Sequence, residues 1–258
     1  MRMKKQIIIL IILIVLAVLS EFLWKYGQDK MPAIDPVYSY EQNTTLIDVA
    51  TASDYAVVSG SYPVFKNADP AFNANIADFV QSAIKDQFEN SAENYKARVD
   101  TALPSENIPA VPAATDRFPM SIKTTIARND ARIISVVIHI DQYTGGAHGQ
   151  EIIQTFNYDL DAKTQITVQS LLQKYPDFLE KVSTLARAEL RLKLAEDAQV
   201  SQNEINTEML NDGTSPIAEN FSLFSFPDDT HITLYFTQYQ VAPYVFGSPK
   251  ITLLFPLQ

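Results

Sequence analysis

The sequence predicts an α+β protein: two related halves, each a long helix packed on a small antiparallel sheet, after an N-terminal transmembrane helix. Three observations lead there. Met120, Ile122, Thr124 and Ile126, then Ile134, Val136, Ile138 and Ile140, alternate with the period of a half-buried strand. Residues 73–90 and 176–194 instead place apolar side chains at three- and four-residue steps, the period of a helix with one buried stripe. The order β, α, ββ, then ββ, α, βββ segregates strands from helices, which disfavours a doubly wound sheet.

Taken in order, "MRMKK" supplies positive charge, and thirteen unbroken apolar residues follow from Ile7 to Leu19. Residues 6–24 approach the roughly 20 residues that span a bilayer, and Trp24, Lys25 and Tyr26 suit its interface. The charge bias predicts a single-pass anchor at the cell membrane with everything after about residue 26 extracytoplasmic; secretion after signal cleavage is the alternative. Residues 26–50 read as a polar, proline-punctuated linker in which order begins near Asp48. Tyr55 to Phe65 reads as one or two short strands with a turn at Ser59-Gly60.

Asp69-Pro70 suits the approach to the first helix, whose stripe is Ile76, Phe79, Val80, Ala83, Ile84 and Phe88. Four prolines in Thr101–Pro119 make that stretch a loop or irregular edge segment. Asn129-Asp130 turns a hairpin between the two alternating runs, and a second hairpin joins 151–160 to 165–168. Phe178, Val182, Leu185 and Ala186 line one side of the second helix. "FSLFSF", "HITLYFTQYQ" and "KITLLF" close the chain as strands. The predicted organisation is an anchor in 1–25, a linker in 26–50, and domains in 51–150 and 151–258.

Composition excludes several classes. Without cysteine there is no disulfide, thiol nucleophile or thiolate-bound metal. Residues 1–25 hold four of the 20 basic and one of the 30 acidic residues, so the remainder carries 16 against 29, a net charge of −13. Nucleic acid is therefore not an expected partner, whereas cationic ligands would be attracted.

The densest signal is "DQYTGGAHGQ", Asp141–Gln150, which holds three of the chain's seven glycines around one of its three histidines. Gly145, Gly146 and Gly149 can adopt positive φ or admit another backbone, so the loop is shaped. Two readings stay open: a tight connection braced by His148, or a contact surface of exposed amides and an imidazole. No helix starts directly after the glycines and no Gly-Lys-Ser/Thr follows, so phosphate-cradling motifs do not fit.

"YTGGAHG", "FNYDLDAKTQITVQSLL" and "YFTQYQVAPYVFG" together resemble the paired extracytoplasmic domains DUF4163 and DUF3298, over most of residues 50–258. In that family the tandem occurs in membrane-anchored anti-sigma factors that act as lysozyme receptors, and as an accessory region beside the catalytic domain of a peptidoglycan deacetylase. The resemblance implies signature positions at Tyr143, Gly145, Gly146, His148 and Gly149, with Tyr239, Pro243, Tyr244 and Gly247. Only five residues precede the segment 6–24, so no sigma-binding region is expected. "FPDDTH", Phe226–His231, lacks the spacing of a deacetylase metal site and reads as a turn.

The resulting expectation is a membrane-anchored, non-catalytic binding module for a lysozyme-like protein or peptidoglycan, without cofactor or metal. Tyr239, Tyr244 and Phe246 would offer aromatic surface and Pro243 would stiffen their loop. The alternative is a peptidoglycan-modifying hydrolase using His148 with a nearby carboxylate, Asp141 being the candidate. His139, His148 and His231 come from three separate places, which argues against a histidine metal site. His139 and Asp141 share a strand face, so a histidine–carboxylate pair near the loop is conceivable.

Overall fold

The computed structural model describes residues 43–103 and 106–255. The segment 6–24, read above as an anchor, lies outside them; among the described residues no helix is long and apolar enough to cross a membrane.

Six strands form one sheet in sequence order: β1 (Thr44–Ala52), β2 (Ala56–Phe65), β3 (Phe118–Asn129), β4 (Ile133–Gln142), β5 (Gln150–Asp159) and β6 (Thr164–Gln165). Its one parallel pair is β2 with β3, so the sheet is mixed and the antiparallel expectation is corrected. The cause is the connection: helix α1 (Pro70–Thr101) and the proline-rich stretch after it carry the chain back across the sheet, as parallel pairing requires. Asp69 caps α1 by accepting from Ala71 N–H at 2.7 Å, and Pro70 occupies the first turn, where its missing donor is harmless. The helix runs past residue 90, burying Ser91 and Tyr95 beyond the predicted stripe.

No turn interrupts β2. Gly60 sits inside the strand at φ 140, and a Cβ there would lie 2.1 Å from the Ile122 carbonyl oxygen. The glycine serves close strand approach instead. The linker expectation is corrected too, since β1 begins at Thr44 and pairs with β2.

Beyond the sheet come α2 (Val168–Lys174), α3 (Phe178–Ala198), α4 (Thr207–Gly213), and a small antiparallel sheet of β7 (Phe224–Ser225), β8 (His231–Tyr235) and β9 (Lys250–Leu254). The predicted hairpin at 165–168 is curtailed because Thr167 and Ser170 form a capping box that starts α2. "FSLFSF" contributes only two strand residues, and β8 ends at Tyr235, leaving 236–249 irregular but for a 3-10 turn at Tyr244–Phe246. The halves are therefore not alike: one helix on six strands, against three helices around three short strands.

Alternation decides what each face of the large sheet meets. Ile134, Val136, Ile138 and Ile140 pack with Phe72, Ile76 and Val80 of α1 in one core. The other face carries Ile133, Ser135, Val137, His139 and Asp141 in turn. At one end Phe226 N–H donates to Ser135 Oγ, Phe224 N–H to Thr155 Oγ1 and Asn157 Nδ2 to the Phe224 carbonyl, so β7 closes over buried polar side chains. Arg128 adds ion pairs to Asp130 and to Asp229, tying the β3–β4 hairpin to the turn before β8. Toward the glycine loop this face stays open.

Candidate functional site

Strands β4 and β5 carry the loop. At its start Tyr143 N–H donates to the Pro119 carbonyl at 3.0 Å, and its ring meets Phe118 edge-on, centroids 5.4 Å apart. Its own carbonyl accepts from Gln87 Nε2 of α1 at 2.9 Å. Gly145 follows at φ 97, and a Cβ there would fall 2.7 Å from the Phe118 ring. The glycine is required on both counts. Gly146 has open space around it.

The loop's other end meets the irregular 237–247 segment. Tyr244 Oη donates to the Gly149 carbonyl at 2.9 Å, and the same oxygen accepts from His148 Nδ1 at 2.8 Å. Because a carbonyl only accepts, Nδ1 carries the proton and Nε2 keeps the free lone pair. The His148 and Tyr244 rings lie 4.3 Å apart, and Tyr239 continues the row 5.7 Å from Tyr244. Tyr239 is 54% exposed and held at φ 67, a backbone conformation costly for a residue with a Cβ.

What holds that strain is a set of ties to the rest of the second half. Gln240 Nε2 donates to the carbonyls of Gly213 and Asn220, its Oε1 accepts from Thr237 N–H, and Gly213 lacks a Cβ where one would lie 2.0 Å from the Gln240 carbonyl oxygen. Pro243 precedes the 3-10 turn, and Gly247, at φ 63, closes it by donating to the Tyr244 carbonyl.

A pocket of about 460 Å³ opens beside this row, lined by Gln142, Thr144, His148, Gln150, Glu151, Ile152, Ile153, Thr237, Gln238 and Tyr239. Gln142 and Gln150 face each other in register, and Gln238 Oε1 accepts from Glu151 N–H at 3.3 Å. The lining offers amides, hydroxyls, the Tyr239 ring, the His148 imidazole and the Glu151 carboxylate; no lysine or arginine is among it.

His148, Gly149, Tyr239 and Tyr244 thus come together. Tyr143 and Gly145 turn toward α1, Gly146 stands free on the surface, and Pro243 and Gly247 shape the second loop. Asp141 does not pair with a histidine: its carboxylate takes Lys123 Nζ at 2.8 Å, and that hydrogen bond with the accompanying charge raises the lysine's pKa. His139 pairs with Glu151 at 2.9 Å instead, one strand over from the predicted Asp141. Asp228 is held at about 2, first by Thr230 N–H, then by the Thr230 hydroxyl and, after a small opposing desolvation, by His231, so the Asp-Asp pair builds a turn. Among the described residues no group of three or more His, Cys, Asp or Glu is placed to hold a metal ion. The pocket's glutamines were missed because only the β4–β5 register, together with a chain segment some 90 residues on, makes them neighbours.

Residues 49–151 match the family described as Deacetylase PdaC, and residues 169–255 match Protein of unknown function (DUF3298). The two matches lie in tandem, a PdaC-type region followed by a DUF3298-type region. It is 28% identical over 222 residues to the peptidoglycan-N-acetylmuramic acid deacetylase PdaC of Bacillus subtilis (strain 168), an alignment covering 85% of this chain and 41% of that protein. The chain thus spans well under half the length of that curated relative. The crystal structure of a DUF3298 family member from Bacteroides fragilis NCTC 9343 superposes with TM-score 0.50 at 19% identity, covering 82% of this chain and 89% of that one. That likeness concerns the fold. The pocket lies where the PdaC-type domain, through the glycine loop, meets the DUF3298 domain, through Tyr239 and Tyr244.

Proposed function

We propose that this chain is a membrane-anchored, extracytoplasmic module that binds cell-wall glycan without transforming it. The observation that carries the reading is the exposed Tyr239 ring beside an amide-lined pocket without lysine or arginine. Sugars present apolar ring faces and a fringe of hydroxyl and amide groups, which a tyrosine face and glutamine side chains satisfy together. The apolar run in 6–24 would keep the module at the envelope, and the similarity to a peptidoglycan deacetylase supports a wall-directed ligand. Holding is favoured over hydrolysis because Asp141, the carboxylate that the hydrolytic reading pairs with His148, is engaged by Lys123 instead.

Co-sedimentation of the full-length protein with insoluble peptidoglycan tests this. Retention persisting in high salt is expected, with Tyr239→Ala weakening it about tenfold, an aromatic contact's worth, at unchanged melting temperature. Absence of retention, or a Tyr239→Ala protein retained like the parent, refutes the reading. A cationic protein ligand would instead follow the −13 charge and lose affinity steeply as salt rises.

A further inference from the structure

Strand β5 is bound on one side only along most of its length. β4 takes one edge throughout, while β6 covers the other only at Tyr158 and Asp159. Three hydrogen bonds fix which residues point outward. Leu160 N–H donates to the Arg132 carbonyl on the β4 side, whereas the Asn157 carbonyl accepts from Ile166 N–H and Glu151 N–H reaches Gln238, both on the free side. Even-numbered residues of β5 therefore face β4, and Glu151, Ile153, Thr155 and Asn157 present their main-chain groups outward.

Of these, Glu151 N–H is taken by Gln238, the Asn157 carbonyl by Ile166 and the Thr155 carbonyl, at 3.3 Å, by Gln154 Nε2. Ile153 keeps both outward groups free of protein partners among the described residues, and it lines the pocket although its side chain is buried against Val137 and Tyr235. An unpaired main-chain donor in a pocket asks for an acceptor.

Resting on the glycan reading above, we infer that this pocket recognises the acetamido group of an N-acetylated amino sugar, with Ile153 N–H donating to its carbonyl oxygen. A trans acetamide directs its N–H away from its carbonyl, so that N–H points to the oxygens of Thr237 and Gln238 on the 237–239 segment lining the same pocket. The sugar ring lies on Tyr239. An uncharged ligand fits: Glu151 is already engaged by His139, and the pocket lining has no lysine or arginine that would select an acid. A hydroxyl at the same sugar position is too short to bridge both sides, and an ammonium offers the Ile153 N–H no acceptor.

The experiment uses the full-length chain in a non-ionic detergent at physiological salt, titrated with three β-1,4-linked tetramers: of N-acetylglucosamine, of its fully de-N-acetylated counterpart, and of glucose. The acetylated tetramer is expected to bind about tenfold more tightly than either other, and to shift the Ile153 amide in a nitrogen–proton correlation spectrum. Ile153→Pro removes the outward donor without taking a hydrogen bond from the β4 ladder, and because it also replaces a side chain buried against Val137 and Tyr235 its melting temperature is measured alongside; the folded variant should bring the acetylated sugar down to the glucose tetramer's affinity. If all three bind alike, or the acetylated sugar binds best without moving the Ile153 amide, the acetamido assignment falls and glycan binding stands. If none binds, the glycan reading falls with it. If a blocked tetra-alanine peptide, and no sugar, moves the Ile153, Thr155 and Asn157 amides, the edge receives a peptide strand and the inference is overturned.

Discussion

Tyr143 and His148 leave the same glycine loop and end in different surroundings. Tyr143 is drawn under the sheet, its ring against Phe118 and its carbonyl held by a glutamine that α1 buries completely. His148 stays on the surface, its ring against a tyrosine from a segment 96 residues further along the chain. Gly145 and Gly146 repeat the contrast: one sits at positive φ beneath an aromatic ring, the other meets nothing. The loop thus mixes residues that shape it with residues that it presents, and adjacency in sequence does not separate them.

That division can be attacked from the core outward. Ile138→Ala, on the fully buried face toward α1, should cost about 3 kcal/mol through lost burial and the cavity left behind, read as a lower urea midpoint. Gly145→Ala should cost about 2 kcal/mol from backbone strain and collision with Phe118, while Gly146→Ala stays within about 0.5 kcal/mol of the parent; equal effects would erase the contrast. Tyr244→Phe removes one of two donors from the Gly149 carbonyl and should lose about 1 kcal/mol of stability, leaving the ring row in place. The smallest effect concerns Asp228, whose pKa is depressed from 3.8 to about 2. Its contribution is present above pH 4 and is lost as pH falls through about 2, so Asp228→Asn should flatten the stability profile between those values, lowering stability modestly at neutrality and leaving it unchanged below about pH 2.

The β3–β4 hairpin was legible because a period of two is written locally in Met120–Ile140, and both long helices were legible from their stripes, though not their ends. The parallel pairing of β2 with β3 was not, since it depends on where α1 and the proline stretch return the chain. Gly60 shows the cost of local reasoning: beside a serine it reads as a turn, whereas the approach of Ile122 from a distant strand is what demands it. At the site, the contact of Tyr244 with His148 and Gly149 joins segments about 95 residues apart, which local sequence does not reveal. A shared strand face makes a pair of Asp141 with His139 conceivable from sequence; pairing across strands gives Asp141 to Lys123 and His139 to Glu151.

By itself the sequence determined the α+β class, the acidic and cysteine-free character of the chain, the apolar leader and the unusual loop, because each depends on residues close in the chain or on composition alone. Tertiary structure alone decided that the sheet is mixed, that Tyr244 reaches His148 with Tyr239 beside it, and that Ile153, with its outward main-chain donor unpaired, lines a pocket. Those facts follow from strand register and chain crossing, and a shift of one residue in register would point every such group the other way.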